Sequence, residues 1–176
     1  MNWPNRLSIL RVLCIPFIIL FLSLENAWSI WAAPAVFAFA SLTDFLDGYL
    51  ARKNNWITVF GKFIDPVADK LLVLSTMIML TWMQLIPAWM VVLILARELS
   101  VDGLRMVAVS NGKVIAAGPL GKIKTASQMI LILMILILRQ FLFSFPVGTV
   151  CGIWVCLITV WSGVDYFYRN RTLFRE

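Results

Sequence analysis

Residues 44–69 read D-F-L-D-G-Y-L-A-R-K-N-N-W-I-T-V-F-G-K-F-I-D-P-V-A-D. Asp44 and Asp47 stand three apart, and Asp65 and Asp69 four apart. On two neighbouring helices each pair shares a face, with side-chain origins roughly 5–6 Å apart. Four acids converging in this way need cations. Gly48 and Ala51 follow Asp44 by four and seven residues, on the same face, and leave a shallow trough in which a flat base or a diphosphate can approach the backbone. Close helix packing is the other use of such small residues. Gly61 is expected to turn the chain into the next helix and Pro66 to occupy its first turn, where the missing donor is harmless. That places Asp65 near the helix N-terminus.

Outside this stretch the chain is mostly apolar. Of its 176 residues, 61% are hydrophobic and only 14% are charged, against about 25% charged in a typical soluble domain. The composition is that of an integral membrane protein. The absence of histidine removes histidine acid–base catalysis and histidine metal sites. Cys14, Cys151 and Cys156 lie in apolar runs without a C-x-x-C pair and read as small apolar residues, not as a disulfide. Hard, oxygen-liganded ions such as Mg2+ or Mn2+ remain open to the acids.

Six apolar spans, at about 7–24, 30–51, 67–85, 87–109, 125–143 and 146–168, are each long enough to cross a bilayer, which takes roughly 17–25 helical residues. The first lacks a small-residue cleavage site and is expected to be retained. No linker or repeat divides the chain. The expected fold is therefore an all-α membrane protein of six transmembrane helices, one catalytic domain over residues 1–176, with a polar cavity open to the cytoplasm.

Basic residues set the expected orientation. Arg6, then Arg52, Lys53 and Lys62, then Lys113, Lys122 and Lys124, then Arg169, Arg171 and Arg175 fall at both termini and on alternate connections. The intervening loops carry Arg139 and the acidic Glu25. Both termini and the aspartate segment are expected to face the cytoplasm. The net charge of +6 gathers on that side, where anionic lipid attracts it, and no nucleic-acid partner is expected.

Inside the spans lie Arg97, Glu98, Asp102 and Arg105 in the fourth and Asp165 in the sixth. Each lone ionised group at mid-bilayer costs on the order of 2.5–3.5 kcal/mol, so these groups are expected to face one another across the cavity. Acids there bind metal, and Arg97 and Arg105 meet an anion. Glu98, Asp102 and Arg105 at i, i+4 and i+7 also fit a purely structural ladder of ion pairs.

The pattern D-x-x-D-G-x-x-A-R-x8-G-x-x-x-D-x-x-x-D resembles the signature of the CDP-alcohol phosphatidyltransferase family at every position. Pro4, Asn5, Leu7, Arg11 and Pro16, with Ser8 where threonine is usual, resemble the N-terminal pattern of the family's bacterial, phosphatidylglycerophosphate-forming subgroup. So do A-R-E-L-S-V-D-G-L-R at 96–105, Asn111 to Lys113, and G-K-I-K-T-A at 121–126. The resemblance implies a six-helix homodimeric enzyme that moves a phosphatidyl group from CDP-diacylglycerol to an alcohol and releases CMP. In this subgroup the alcohol is sn-glycerol 3-phosphate. Carried over by position, Asp44, Asp47, Asp65 and Asp69 hold one or two divalent cations, Mg2+ or Mn2+, and Asp69 is also the general base. Asn5, Gly48, Ala51, Arg52 and Gly61 line the CDP site. The acceptor is an anion, and Arg97, Arg105, Lys122 and Lys124 are the candidates for its phosphate. Lys62 and Lys70 fit phosphate contact, charge balance or headgroup contact alike.

Other readings stay beside this one. Serine, inositol phosphate or phosphatidylglycerol as acceptor would keep the same chemistry. A cation transporter would distribute its acids over symmetric broken repeats, which are not visible, and an inactive scaffold would be expected to have lost an acid. Gly148 and Gly152 form a G-x-x-x-G step suited to helix packing or a dimer contact. Trp3, Trp28, Trp31 and Trp56 suit interfacial belts.

Overall fold

The structure is a computed structural model that describes residues 3–24, 26–53, 59–112, 115, 118–139 and 145–171. Among them are six α-helices and no strand: α1 (Trp3–Ser23), α2 (Ser29–Lys53), α3 (Val59–Trp82), α4 (Ala88–Ser110), α5 (Pro119–Leu138) and α6 (Phe145–Arg169). Long apolar runs favour helix because a helix satisfies its own backbone donors and acceptors where water is absent. Three stretches, Arg6–Ser23, Pro119–Leu138 and Gly148–Arg169, are long and apolar enough to cross a membrane. Charged residues interrupt the apolar course of α2, α3 and α4.

The connections end helices by local chemistry. After α3, Gln84 adopts a positive φ of 58°, and the Leu85 N–H donates back to the Leu80 carbonyl at 2.9 Å. This left-handed closure is a common helix stop. Pro87 then opens α4, so α3 and α4 run antiparallel through a tight turn. Gly112 closes α4 with φ 69°, and Pro119 occupies the first position of α5, where its missing N–H costs nothing.

The third helix differs from the sequence expectation. It starts at Val59, so Gly61 and Pro66 both lie inside it and Asp65 is in its second turn. Proline so near a helix start removes only one bond, to the residue 62 carbonyl, and the helix continues through it. Similarly α5 begins at Pro119 and not near 125, which brings Lys122 and Lys124 into the helix.

Helix α1 packs along both α2 and α3, while α5 and α4 pack on α6, and α5 also touches α2 and α3. One buried apolar cluster runs through all six helices, including Ile18, Phe37, Leu72, Ile94, Ile132 and Val155. The outward surface is equally apolar: Leu13, Phe17, Ile78, Val92, Leu99, Ile130 and Trp154 are all exposed. That pattern suits lipid and not water. Exposed Trp28 and Trp31 at the start of α2, Trp82 at the end of α3 and Trp89 at the start of α4 ring one end of the bundle, as an interfacial belt does. The side chain of Trp3, and Trp56, lie outside the described residues.

Gly152 is buried in α6, where an added Cβ would meet Sδ and Cε of Met90 on α4. The G-x-x-x-G step thus serves helix packing within the chain at this residue. Gly152→Ala should change stability little, because a helical alanine gains up to about 1 kcal/mol over glycine and Met90 can yield. Gly152→Leu overfills the contact and should cost about 1–3 kcal/mol. Thermal unfolding in detergent should show that loss, with Met90→Ala restoring part of it.

Candidate active site

Helix α1 meets α3 through two polar side chains one turn apart. Ser8 is buried and its hydroxyl donates to Asp65 Oδ1. Arg11 is fully buried, and its Nη1 lies 3.3 Å from Asp69 Oδ1. Spacing decides this pairing: Ser8 and Arg11 stand at i, i+3 on α1, Asp65 and Asp69 at i, i+4 on α3, so the two stripes face each other in parallel. A carboxylate offers two oxygens and about four lone-pair sites, which makes it a donor suited to a hard cation.

Beside the carboxylates lies a second, mostly basic group. Lys70, next in sequence to Asp69, pairs with Asp102 and stands 3.8 Å from Glu98 Oε2. Glu98 Oε1 receives Lys124 from α5 and lies 3.4 Å from Arg97 Nη1. Arg97 Nη2 donates to Ser162 Oγ on α6 at 2.7 Å. Arg105 Nε donates to the Tyr166 hydroxyl at 3.1 Å and its guanidinium lies 5.5 Å from the ring centre. Such cation–ring contact holds the planar guanidinium in one orientation.

All of these groups occupy one end of the bundle. Counted at 1.5 Å per residue from the start of α1, α3 and α5 and from the end of α4 and α6, they lie roughly 5–20 Å in. The opposite end carries the tryptophan ring and a cavity of about 460 Å³ lined by Thr81, Gln84, Ile86, Pro87 and Ala88. Thr81 follows Asp69 by twelve residues on α3, about 18 Å along the axis. That cavity is separate from the carboxylates.

The sequence-derived site residues therefore divide. Asp65, Asp69, Arg97 and Lys124 join one polar belt, and Arg105 extends it along α4. Lys122 is exposed near the start of α5, and Gly61 is buried in the first turn of α3. Asp44, Asp47, Gly48, Ala51 and Arg52 fall on the second half of α2, and Asn5 on the first turn of α1; their side chains lie outside the described ones. Among the described residues no three metal-ligating side chains converge. The intrahelical ladder on α4 is not what forms: Glu98 and Asp102 draw Lys70 and Lys124 from other helices, and Arg105 turns to Tyr166. Asp165 pairs with Arg169 on its own helix at 2.8 Å.

Four participants escaped the sequence reading of the site: Ser8, Arg11, Ser162 and Tyr166. A lone arginine in an apolar run with a hydroxyl one turn before it was the available signal for the first two. The pairing itself is testable by stability. Arg11→Met should destabilise the protein, because a partly buried carboxylate loses its cation, and the double variant with Asp69→Asn should be less unstable than the two losses summed. A coupling of about 0.5–3 kcal/mol in detergent unfolding is expected for such neighbours; strict additivity would refute the contact.

The sequence profile of CDP-alcohol phosphatidyltransferase matches residues 1–161. The chain is 41% identical over 184 residues to the CDP-diacylglycerol–glycerol-3-phosphate 3-phosphatidyltransferase of Bacillus subtilis (strain 168), covering 96% of this chain and 95% of the relative. It is 36% identical over 177 residues to the proteins of the same name from Escherichia coli (strain K12) and Shigella flexneri, covering 97% of this chain and 95% of each. With its signature carboxylates on α2 and α3 and a match that takes in nearly its whole length, this chain belongs to the CDP-alcohol phosphatidyltransferase family.

Proposed function

We propose that the protein transfers the phosphatidyl group of CDP-diacylglycerol to sn-glycerol 3-phosphate, giving phosphatidylglycerophosphate and CMP. The observation that carries this reading is the near full-length similarity to relatives named for that reaction. The acceptor's 1-hydroxyl oxygen forms a bond to the β-phosphorus, the bond from that phosphorus to the CMP oxygen breaks, and the hydroxyl proton passes to Asp69.

The residues divide this work by charge. Asp44, Asp47, Asp65 and Asp69 are hard donors suited to one or two ions, Mg2+ or Mn2+. When bound there, such ions supply the Lewis acidity that offsets diphosphate charge and stabilises the departing CMP. Ser8 and Arg11 hold Asp65 and Asp69 on one face of α3, so the proton acceptor is oriented before substrate arrives. Asn5, Gly48, Ala51, Arg52 and Gly61 line the CDP side. Arg97, Arg105 and Lys124 receive the acceptor's phosphate, with Lys122 at the rim. Arginine's planar fork matches phosphate oxygens, and a basic pocket of this kind favours a phosphorylated acceptor over serine.

The polar end faces the cytoplasm of the cell membrane in this reading, with all six helices crossing. Arg6 near the start of α1, Lys53 ending α2, Lys122 in α5 and Arg169 ending α6 all lie at that end, whereas Arg139 lies at the other. The homodimer implied by the family is part of the same proposal.

Purified protein in detergent should release CMP from CDP-diacylglycerol with glycerol 3-phosphate and Mg2+ or Mn2+, and chelation should stop it reversibly. Asp69→Asn should abolish turnover while CDP-diacylglycerol binding stays measurable. Release with serine, inositol phosphate or phosphatidylglycerol instead would replace the acceptor, and no release from well-folded protein with any of them would overturn the enzyme.

A further inference from the structure

We propose that Glu98 is a positioning residue for the acceptor: its buried carboxylate gathers Lys70, Arg97 and Lys124 into one anion-receiving cluster and ties that cluster to the helix bearing Asp69. The inference rests on the reading that this cluster receives the acceptor's phosphate. Glu98 is 7% exposed and Lys124 4%. Each oxygen of the one carboxylate serves different partners. Oε1 takes Lys124 from α5 and Arg97 from α4, while Oε2 lies 3.8 Å from Lys70 of α3, itself paired with Asp102.

Charge distinguishes this arrangement from a structural ion pair. Lys70, Arg97 and Lys124 against Glu98 and Asp102 leave one surplus positive charge. Over the described side chains of the whole belt, Arg11 and Arg105 add two cations and Asp65 and Asp69 two anions, so the surplus stays at one. A bundle has no reason to keep uncompensated cations in its interior for folding alone. A phosphate monoester carries about −1.5 to −2 at neutral pH, opposite in sign to the surplus.

Arg97 is also prepared for an incoming anion. Ser162 fixes its Nη2, and the bare backbone of Gly163 accommodates its stem, since a Cβ there would stand 3.1 Å from Arg97 Cγ. Its Nε is buried with no partner among the described residues. Of the five N–H donors of the guanidinium, Glu98 and Ser162 engage one each and hold its plane in place, which leaves the second hydrogen on each Nη for a ligand. Without the Glu98 charge, Arg97 and Lys124 repel each other and attract phosphate only as loose point charges. Binding then survives better than alignment.

Steady-state CMP release by the purified full-length protein separates the two effects. Glu98→Gln should lower kcat at least tenfold, leave the acceptor KM within about threefold, and leave the CDP-diacylglycerol KM unchanged. Combining it with Lys124→Met should cost less than the product of the two single losses, because Glu98 acts in part through Lys124. Glu98→Asp, which keeps the charge but draws it back by one methylene, should fold with an unchanged melting temperature and recover part of kcat. Wild-type kcat in Glu98→Gln, or losses that multiply in the double variant, would overturn the proposal. Activity confined to another acceptor yet equally dependent on Glu98 would remove glycerol 3-phosphate and keep the positioning. Glycerol 3-phosphate activity indifferent to Glu98 would do the reverse.

Discussion

An ionised side chain inside an apolar helix bundle must meet an opposite charge, and Glu98 is where this protein meets that constraint most fully. Its carboxylate is nearly inaccessible, and cations from α3, α4 and α5 reach it. Removing one member of such a buried set is worth about 3–5 kcal/mol of destabilisation, although the set as a whole need not stabilise the fold. The network therefore specifies register more than it adds stability. Once Lys124 and Lys70 are drawn to one carboxylate, α5 and α3 cannot slide along α4 without stranding a charge.

The same constraint separates acid from base. Asp65 and Asp69 point their faces to α1, where Ser8 and Arg11 wait. Lys70, the next residue after Asp69, turns toward α4 instead. Two consecutive residues on α3 thus belong to two different pockets, one closed by α1 and one by α4 and α5. Helix α1 is the brace for the first and α6, through Ser162 and Tyr166, for the second. A diphosphate donor and a phosphorylated acceptor need those two environments side by side.

The signature from Asp44 to Asp69 was readable because carboxylates at helical spacing share a face, and the six helices were readable because long apolar runs mark them. Helix starts were less so. Gly61 and Pro66 looked like a turn and a first-turn proline, yet α3 already begins at Val59. Lys122 and Lys124 looked like loop residues because lysine lowers hydropathy, yet Lys124 is buried on α5 against a glutamate 26 residues away. Tertiary partners explain these misses. Arg11 and Asp69 are 58 residues apart, and no local periodicity connects them. On α4 the i, i+4, i+7 spacing suggested neighbours on one helix, and other helices supplied the partners for Glu98 and Asp102.

In the proposed enzyme a cation-binding half and a phosphate-binding half adjoin at one end of the bundle. Anomalous diffraction from crystals grown with Mn2+ locates the first half directly. Manganese should bind between α2 and α3, with carboxylate oxygens of Asp44, Asp47, Asp65 or Asp69 at about 2–2.3 Å, close to hard-cation distances, on the side of Asp69 that adjoins Lys70. Manganese bound elsewhere, or an Asp65 and Asp69 pair too far from α2 to share an ion, would contradict it.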